Sequence, residues 1–257
     1  MKLVLATALA GSLLMAGGAN AAVIFTEDFS GYDTLNIAHG AHSASSTSGN
    51  TIDSDYSYRV PNGQNHGGQA DSMYDEGAWT IATNPIATHD LWIDLGNNQD
   101  PFLILNGATS NANPPPTAYE SQVLAIGPGT YSYSYDILNV CCNFHHDPGV
   151  QSVLQLWYFK GPAANAISPI PIDINSTIAT QPAANGWTHV TGNFTINQPG
   201  GFIRLGLSDT NAAADGNDFG VDNLKLATAP EPASWALMIM GFGAAGAMMR
   251  RRARVLA

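Results

Sequence analysis

The sequence predicts an all-β chain folded as a single β-sandwich of jelly-roll type. Strand-like runs recur along it, separated by turns rich in Gly, Pro, Asn, Ser and Thr. No long stretch carries the 3.6-residue apolar period of an amphipathic helix. Tyr131, Tyr133, Tyr135 and Ile137 alternate with Ser132, Ser134 and Asp136, the pattern of a strand with one buried and one wet face. About a dozen short strands over roughly 200 residues suit two packed sheets around one core. The chain is long enough to bury such a core, and no linker divides it.

The first element is a leader. Met1-Lys2 is a short basic region, Leu3 to Met15 is mostly apolar, and Ala19-Asn20-Ala21 is a small-x-small cleavage site. That order predicts a signal peptide over residues 1–21 and a mature chain beginning at Ala22.

Strands are predicted next at Val23–Phe29, Tyr56–Val60, Ala78–Thr83, Leu91–Leu95, Phe102–Asn106 and Gln122–Ile126. They continue at Tyr131–Val140, Val153–Phe159, Ile170–Ile174, Thr188–Ile196, Phe202–Ser208 and Val221–Ala227. The sandwich is expected to occupy residues 22–228. Three polar segments interrupt it: His39 to Asn50, Pro61 to Gly68, and the stiff Asn111-Ala112-Asn113-Pro114-Pro115-Pro116. They are expected as surface loops, either a binding rim or passive connections.

Charge narrows the partners. All acidic residues but Glu231 lie between the terminal segments, against only Arg59, Lys160, Arg204 and Lys225. So acidic a surface favours solubility and cations, and it excludes nucleic acid, because no basic patch exists to neutralise phosphates.

The last element, residues 229–257, reads Pro230-Glu231-Pro232-Ala233-Ser234-Trp235-Ala236, then an apolar run to Met249, then Arg250, Arg251, Arg252 and Arg254. As a helix, Trp235 to Met249 would span about 22 Å. Trp235 at one interface and snorkelling arginines at the other extend that reach towards a bilayer core of about 30 Å. The arginines should remain cytoplasmic. This ordered triplet of motif, apolar helix and basic stop resembles the PEP-CTERM sorting signal of Gram-negative bacteria, in its Pro-Glu-Pro-x-x-Trp-Ala form. The resemblance implies export, transient membrane anchoring and processing by an exosortase-type membrane protease.

A second resemblance spans residues 87–228. Phe102 to Ala108, Glu120 to Val123, Gly127 to Tyr135, Gly186 to Phe194 and Gly216 to Leu224 follow one another as in the galactose-binding-like jelly rolls of bacterial surface proteins, which are related to carbohydrate-binding modules. The opening strands match less well. The resemblance implies one structural Ca²⁺ held between the first and last strands, here Glu27 or Asp28 together with Asp222. Such oxygen ligands suit Ca²⁺, and ordinary solvent-facing carboxylates are the alternative. Asp215, Asn217 and Asp218 form another acidic turn, without EF-hand spacing.

Cys141 and Cys142 are the only cysteines and are adjacent. A disulfide between them, free thiols, and metal ligation with His145, His146 and Asp147 all remain open. No Gly-x-Ser-x-Gly elbow, His-Glu-x-x-His, phosphate loop or dinucleotide fingerprint is present. The expectation is therefore a non-catalytic protein, with paired glycosidase carboxylates as the enzymatic alternative. Trp79, Trp92 and Tyr119 are candidate platforms for sugar rings, while Trp157 and Trp187 read as core. The combined expectation is an exported surface or exopolysaccharide-matrix protein that binds carbohydrate, with a purely structural matrix component as the alternative.

Overall fold

The computed structural model describes residues 21–59, 73–96, 99–107, 116–141, 153–166, 172–179, 186–197, 201–211, 217–229 and 239–246. Among them are fourteen strands in two seven-stranded sheets, all within the compact unit Ala22–Ala229. The first sheet contains β1 (Val23–Glu27), β4 (Ser57–Tyr58), β5 (Ala78–Ala82), β6 (Phe102–Asn106), β9 (Gly129–Asn139), β12 (Thr188–Ile196) and β14 (Phe219–Thr228). Its order is β12-β9-β14-β6-β5-β4, with β1 also on β14. The second contains β2 (Ser43–Ser45), β3 (Thr51–Asp53), β7 (Thr117–Glu120), β8 (Leu124–Ile126), β10 (Val153–Gly161), β11 (Ile172–Ala179) and β13 (Gly201–Asp209), ordered β11-β10-β13-β7-β3-β2 with β8 on β13. The chain is a β-sandwich, as its alternating patterns predict.

Alternation decides which side chains meet. On β9, Tyr131, Tyr133, Tyr135 and Ile137 are buried, while Ser132, Ser134 and Asp136 are only partly so. From the facing sheet come Tyr119, Ile203, Leu205 and Leu207, and the two sets form one core. The β6 run is buried on both faces. Leu103 and Leu105 enter the main core, whereas Phe102 and Ile104 join a second cluster with Met73, Trp92, Leu138 and Val140. Both cores lie within residues 22–229, the compact unit that carries both sheets.

β14 organises the first sheet. One edge pairs with β9; along the other, β6 takes Phe219–Val221 and β1 takes Leu224–Ala227. Asp222 pairs with Asp136 and Lys225 with Ser134, leaving one extra residue in β14. Asn223 absorbs it at φ 53°. This bulge resets the alternation, so that Val221 before it and Leu224 and Leu226 after it all reach the core. Asn is among the few residues other than Gly that adopt the left-handed conformation readily.

Several expectations need correction. Leu91–Leu95 is not a strand: Trp92 makes one isolated bridge to Cys141, and the segment crosses the outer face of the first sheet. Its apolar residues cover a cluster rather than extend a ladder. β2, β3 and β7 were not predicted, because Ser-Ala-Ser and Thr-Ile-Asp are too short and polar to show a period. β2 also lies inside His39–Asn50, so that segment is not wholly loop. Pro61–Gly68, residues 111–115, Cys142, His145, His146 and Asp147 fall outside the described residues, as do Pro230, Glu231, Pro232, Trp235, Ala236, Arg250, Arg251, Arg252 and Arg254. Residues 239–246 are helical, and among the described residues no helix is long and apolar enough to cross a membrane.

Candidate functional site

A groove of about 520 Å³ runs beside β1. Its polar lining includes Thr26, Asp28, Ser30, Ser48, Asn50 and Gln122. Backbone contacts hold the walls together. Thr47 N–H donates to the Gly31 carbonyl at 2.8 Å, and Asn50 Nδ2 donates to the Thr26 carbonyl at 2.8 Å. A Cβ at Gly31 would stand 3.2 Å from Ser46 Cβ, so the two wall segments approach closely. Asp28 is pinned by Ser30, whose backbone N–H and hydroxyl both donate to Oδ1, at 3.0 and 2.7 Å. Those bonds hold its carboxyl below the usual value. Gln122 Oε1 is buried with no hydrogen-bond partner. The groove therefore presents hydroxyls, amides and one carboxylate on a fixed frame.

Directly behind this wall, Glu27 turns into the core and is 3% exposed. Its Oε1 accepts the Phe29 N–H at 2.9 Å and its Oε2 accepts the Tyr32 hydroxyl at 2.9 Å. Phe29 is wholly buried at φ 55°, a conformation that bulky residues rarely adopt, and the Glu27 carboxylate bonds the amide that leads into it. Burial raises the Glu27 pKa despite these bonds. Burial and the nearby Glu27 charge raise Tyr32 and Tyr119 as well.

Asp222 occupies the opposite face of the same sheet. Burial pushes its pKa up to about 6, and the charges of Asp136, Asp28 and Asp100 add to that, against the lowering effect of the Asn223 N–H. Asn223 Nδ2 bridges Asp136 Oδ2 at 2.9 Å, and His189 Nδ1 lies 2.6 Å from Asp136 Oδ1. The structure thus separates Glu27 from Asp222, because one side chain points between the sheets and the other away from them. Of the expected calcium ligands, Asp28 and Asp222 remain electrostatic neighbours. Among the described residues, no three His, Cys, Asp or Glu side chains are grouped to hold a metal. The Glu27, Asp28 and Asp222 set does not fit an ion as arranged.

The aromatic platforms also need correction. Trp79, Trp92 and Tyr119 are each 0% exposed. Trp79 packs edge-on to Tyr58 and donates to the Ala41 carbonyl; Tyr119 packs edge-on to Phe29. Trp92 stacks on His89, which also stacks on Tyr74, and it donates to Asp218 Oδ2 at 2.9 Å. Large rings were drawn into both cores, leaving none of the three to meet a sugar. Trp157 is buried as expected, and Trp187 is partly buried, edge-on to Phe102. Sequence reasoning missed the groove, because its lining comes from separate short polar segments without a motif.

The described half of the cysteine pair, Cys141, is disulfide-bonded, and the chain contains one other cysteine, Cys142.

The PEP-CTERM protein-sorting motif matches residues 228–252, and the chain is an exported protein with a C-terminal sorting signal. No curated protein matches the chain. Among solved structures, the CBM22-1–GH10 modules of Clostridium thermocellum xylanase 10B, complexed with xylohexaose, are 12% identical, with a TM-score of 0.41 over 81% of this chain and 28% of that one. The CBM22-1 xylan-binding domain of Paenibacillus barcinonensis Xyn10C is 12% identical, with a TM-score of 0.36 over 62% of this chain and 92% of that one. The CBM6 module of Cellvibrio mixtus lichenase 5A, in complex with cellotriose, is 11% identical, with a TM-score of 0.30 over 59% and 87%. These similarities are low, and the strand pairing above carries the fold assignment without them.

Proposed function

We propose that the exported segment is a non-catalytic, carbohydrate-binding protein of the cell surface or exopolysaccharide matrix of a Gram-negative bacterium. In this reading an exosortase-type protease processes the C-terminal signal, after residues 235–249 have held the chain in the membrane. The observation that carries the sugar-binding reading is the groove beside β1. Its lining offers hydroxyls, amides and one carboxylate as hydrogen-bonding groups for a hydroxylated polymer, with Gln122 among them. The acidic surface disfavours anionic polymers, so the favoured ligand is a neutral glycan.

A glycan array probed with residues 22–229 tests the reading, with released reducing ends measured in parallel. Binding to neutral glycans without release supports it. Release of reducing ends would make the protein an enzyme, and an array without signal would leave a structural matrix component.

A further inference from the structure

The chain keeps its alternation as it leaves β1. Phe25, Glu27 and Phe29 are buried, while Thr26, Asp28 and Ser30 are exposed and line the groove. Asp28 is the one charged residue in that lining, and no Lys or Arg lines the groove with it. Among the described residues, Ser30 is the only other residue that bonds the Asp28 carboxylate. Both of its bonds go to Oδ1, at 3.0 and 2.7 Å, so Oδ2 receives no hydrogen from another residue. The charge is felt nearby: burial chiefly raises Glu27 and Asp222, and Asp28 adds to both.

The other polar side chains of the lining are hydroxyls and amides, which can donate or accept as a ligand requires. An ionised carboxylate only accepts. Ser30 keeps Asp28 in that form, because its hydroxyl and its backbone N–H hold the carboxyl below the usual value. The same two bonds fix the carboxylate to the turn, so it is not free to swing away from a mismatched ligand. A ligand hydroxyl that points its hydrogen at Oδ2 makes a charge-assisted bond. An ether or ester oxygen has no hydrogen to give. It sets acceptor against acceptor and takes water from a charge without replacing it.

We infer, on the sugar-binding reading of the groove, that Asp28 is its specificity-determining residue: Oδ2 accepts a hydroxyl hydrogen of the glycan, and the groove takes chains unsubstituted at that position while rejecting their O-methylated or O-acetylated counterparts. Sites built to bond a hydroxyl reject the analogue lacking it strongly, because the protein group is left unpaired. Ser30, in holding Oδ1, is a positioning residue.

Affinity electrophoresis of the exported protein through gels containing dextran, laminarin or galactomannan, each unsubstituted and O-methylated, provides the test. The wild type should be retarded by at least one unsubstituted polymer, with an affinity about ten- to a hundredfold above that for its methylated form. Asp28→Asn should lose most of its affinity for the unsubstituted polymer and little for the methylated one, because an amide can donate to an ether oxygen. The ratio of the two affinities should therefore fall at least severalfold. A merely structural effect would weaken both together and leave the ratio unchanged. Ser30→Ala should lower the same ratio by a smaller factor, and an unchanged ratio there decides against Asp28 if Asp28→Asn does not fold. Equal ratios in the wild type and Asp28→Asn would overturn the role of Asp28 and leave the sugar-binding reading standing. So would a wild type that binds both forms of a polymer equally. A wild type retarded by none of the polymers would overturn both.

Discussion

Glu27 and Asp222 sit on adjacent strands, and the fold treats them in opposite ways. Glu27 is buried among donors, whereas Asp222 is partly buried among like charges. Both pKa values are raised, chiefly by burial, but the consequences of mutation differ in sign. Removing Glu27 strands the groups that depend on it; removing the charge of Asp222 relieves its neighbours. The bulge at Asn223 sets this division, since it keeps Asp222 outside while Leu224 and Leu226 return to the core.

The strongest way to break the comparison is Asn223→Val. A β-branched residue avoids the left-handed φ of 53°, and a regular strand residue at 223 would send Leu224 and Leu226 to the solvent face. We expect loss of the cooperative unfolding transition, seen by circular dichroism, while Asn223→Gly should be close to neutral because it tolerates the same φ. A normal melt for Asn223→Val would show that β14 does not need its bulge.

Glu27→Ala comes next. It leaves the Phe29 N–H and the Tyr32 hydroxyl buried without acceptors, an expected loss of about 2–4 kcal/mol in urea unfolding. Glu27→Gln should lose less, because it keeps an acceptor and carries no charge to desolvate. Equal losses in the two variants would mean that size, and not hydrogen bonding, is what the site requires.

Asp222→Asn should be stabilising. The folded pKa of about 6 lies above the ordinary carboxyl value of 3.8, so the folded state holds the proton more tightly than the unfolded chain. The stability this proton provides is complete below 3.8 and is lost as pH rises to about 6. The variant should therefore exceed the wild type above pH 6 and lose that advantage near pH 3.5. The unscreened limit is about 3 kcal/mol, and partial exposure reduces the expected gain to about 1 kcal/mol. A constant difference across that pH range would remove Asp222 as its source.

The smallest effect belongs to Cys141→Ser with Cys142→Ser. A bond between neighbours closes almost no chain, so unfolding stability should change by under about 1 kcal/mol. Non-reducing intact mass with alkylation checks the redox state directly: two alkylated thiols in freshly exported protein would show that the pair stays reduced.

The regular part of the fold was legible in the sequence. β6 and β12 begin and end where their patterns do, and β9 follows the tyrosine alternation. Long strands declare themselves because a period of two needs several residues to show. β2, β3 and β7 stayed hidden because they are short and owe their pairing to neighbours distant in the chain. The Leu91–Leu95 error has a related cause: apolar residues covering an outer face look like those within a strand. The terminal sorting signal was readable because its elements are contiguous. The groove was not, since Asp28, Asn50 and Gln122 meet only in space. Aromatic residues misled for a physical reason, because a ring suited to stacking on sugar is equally suited to a core.

The central claim is that the groove beside β1 binds a neutral polysaccharide. Affinity electrophoresis of residues 22–229 through gels containing neutral glycans tests it most directly, comparing the wild type with Gln122→Ala and with Asp222→Asn. The account predicts retardation of the wild type and of Asp222→Asn, and mobility near that of a non-binding control for Gln122→Ala. Equal retardation of all three, or of none, would contradict it.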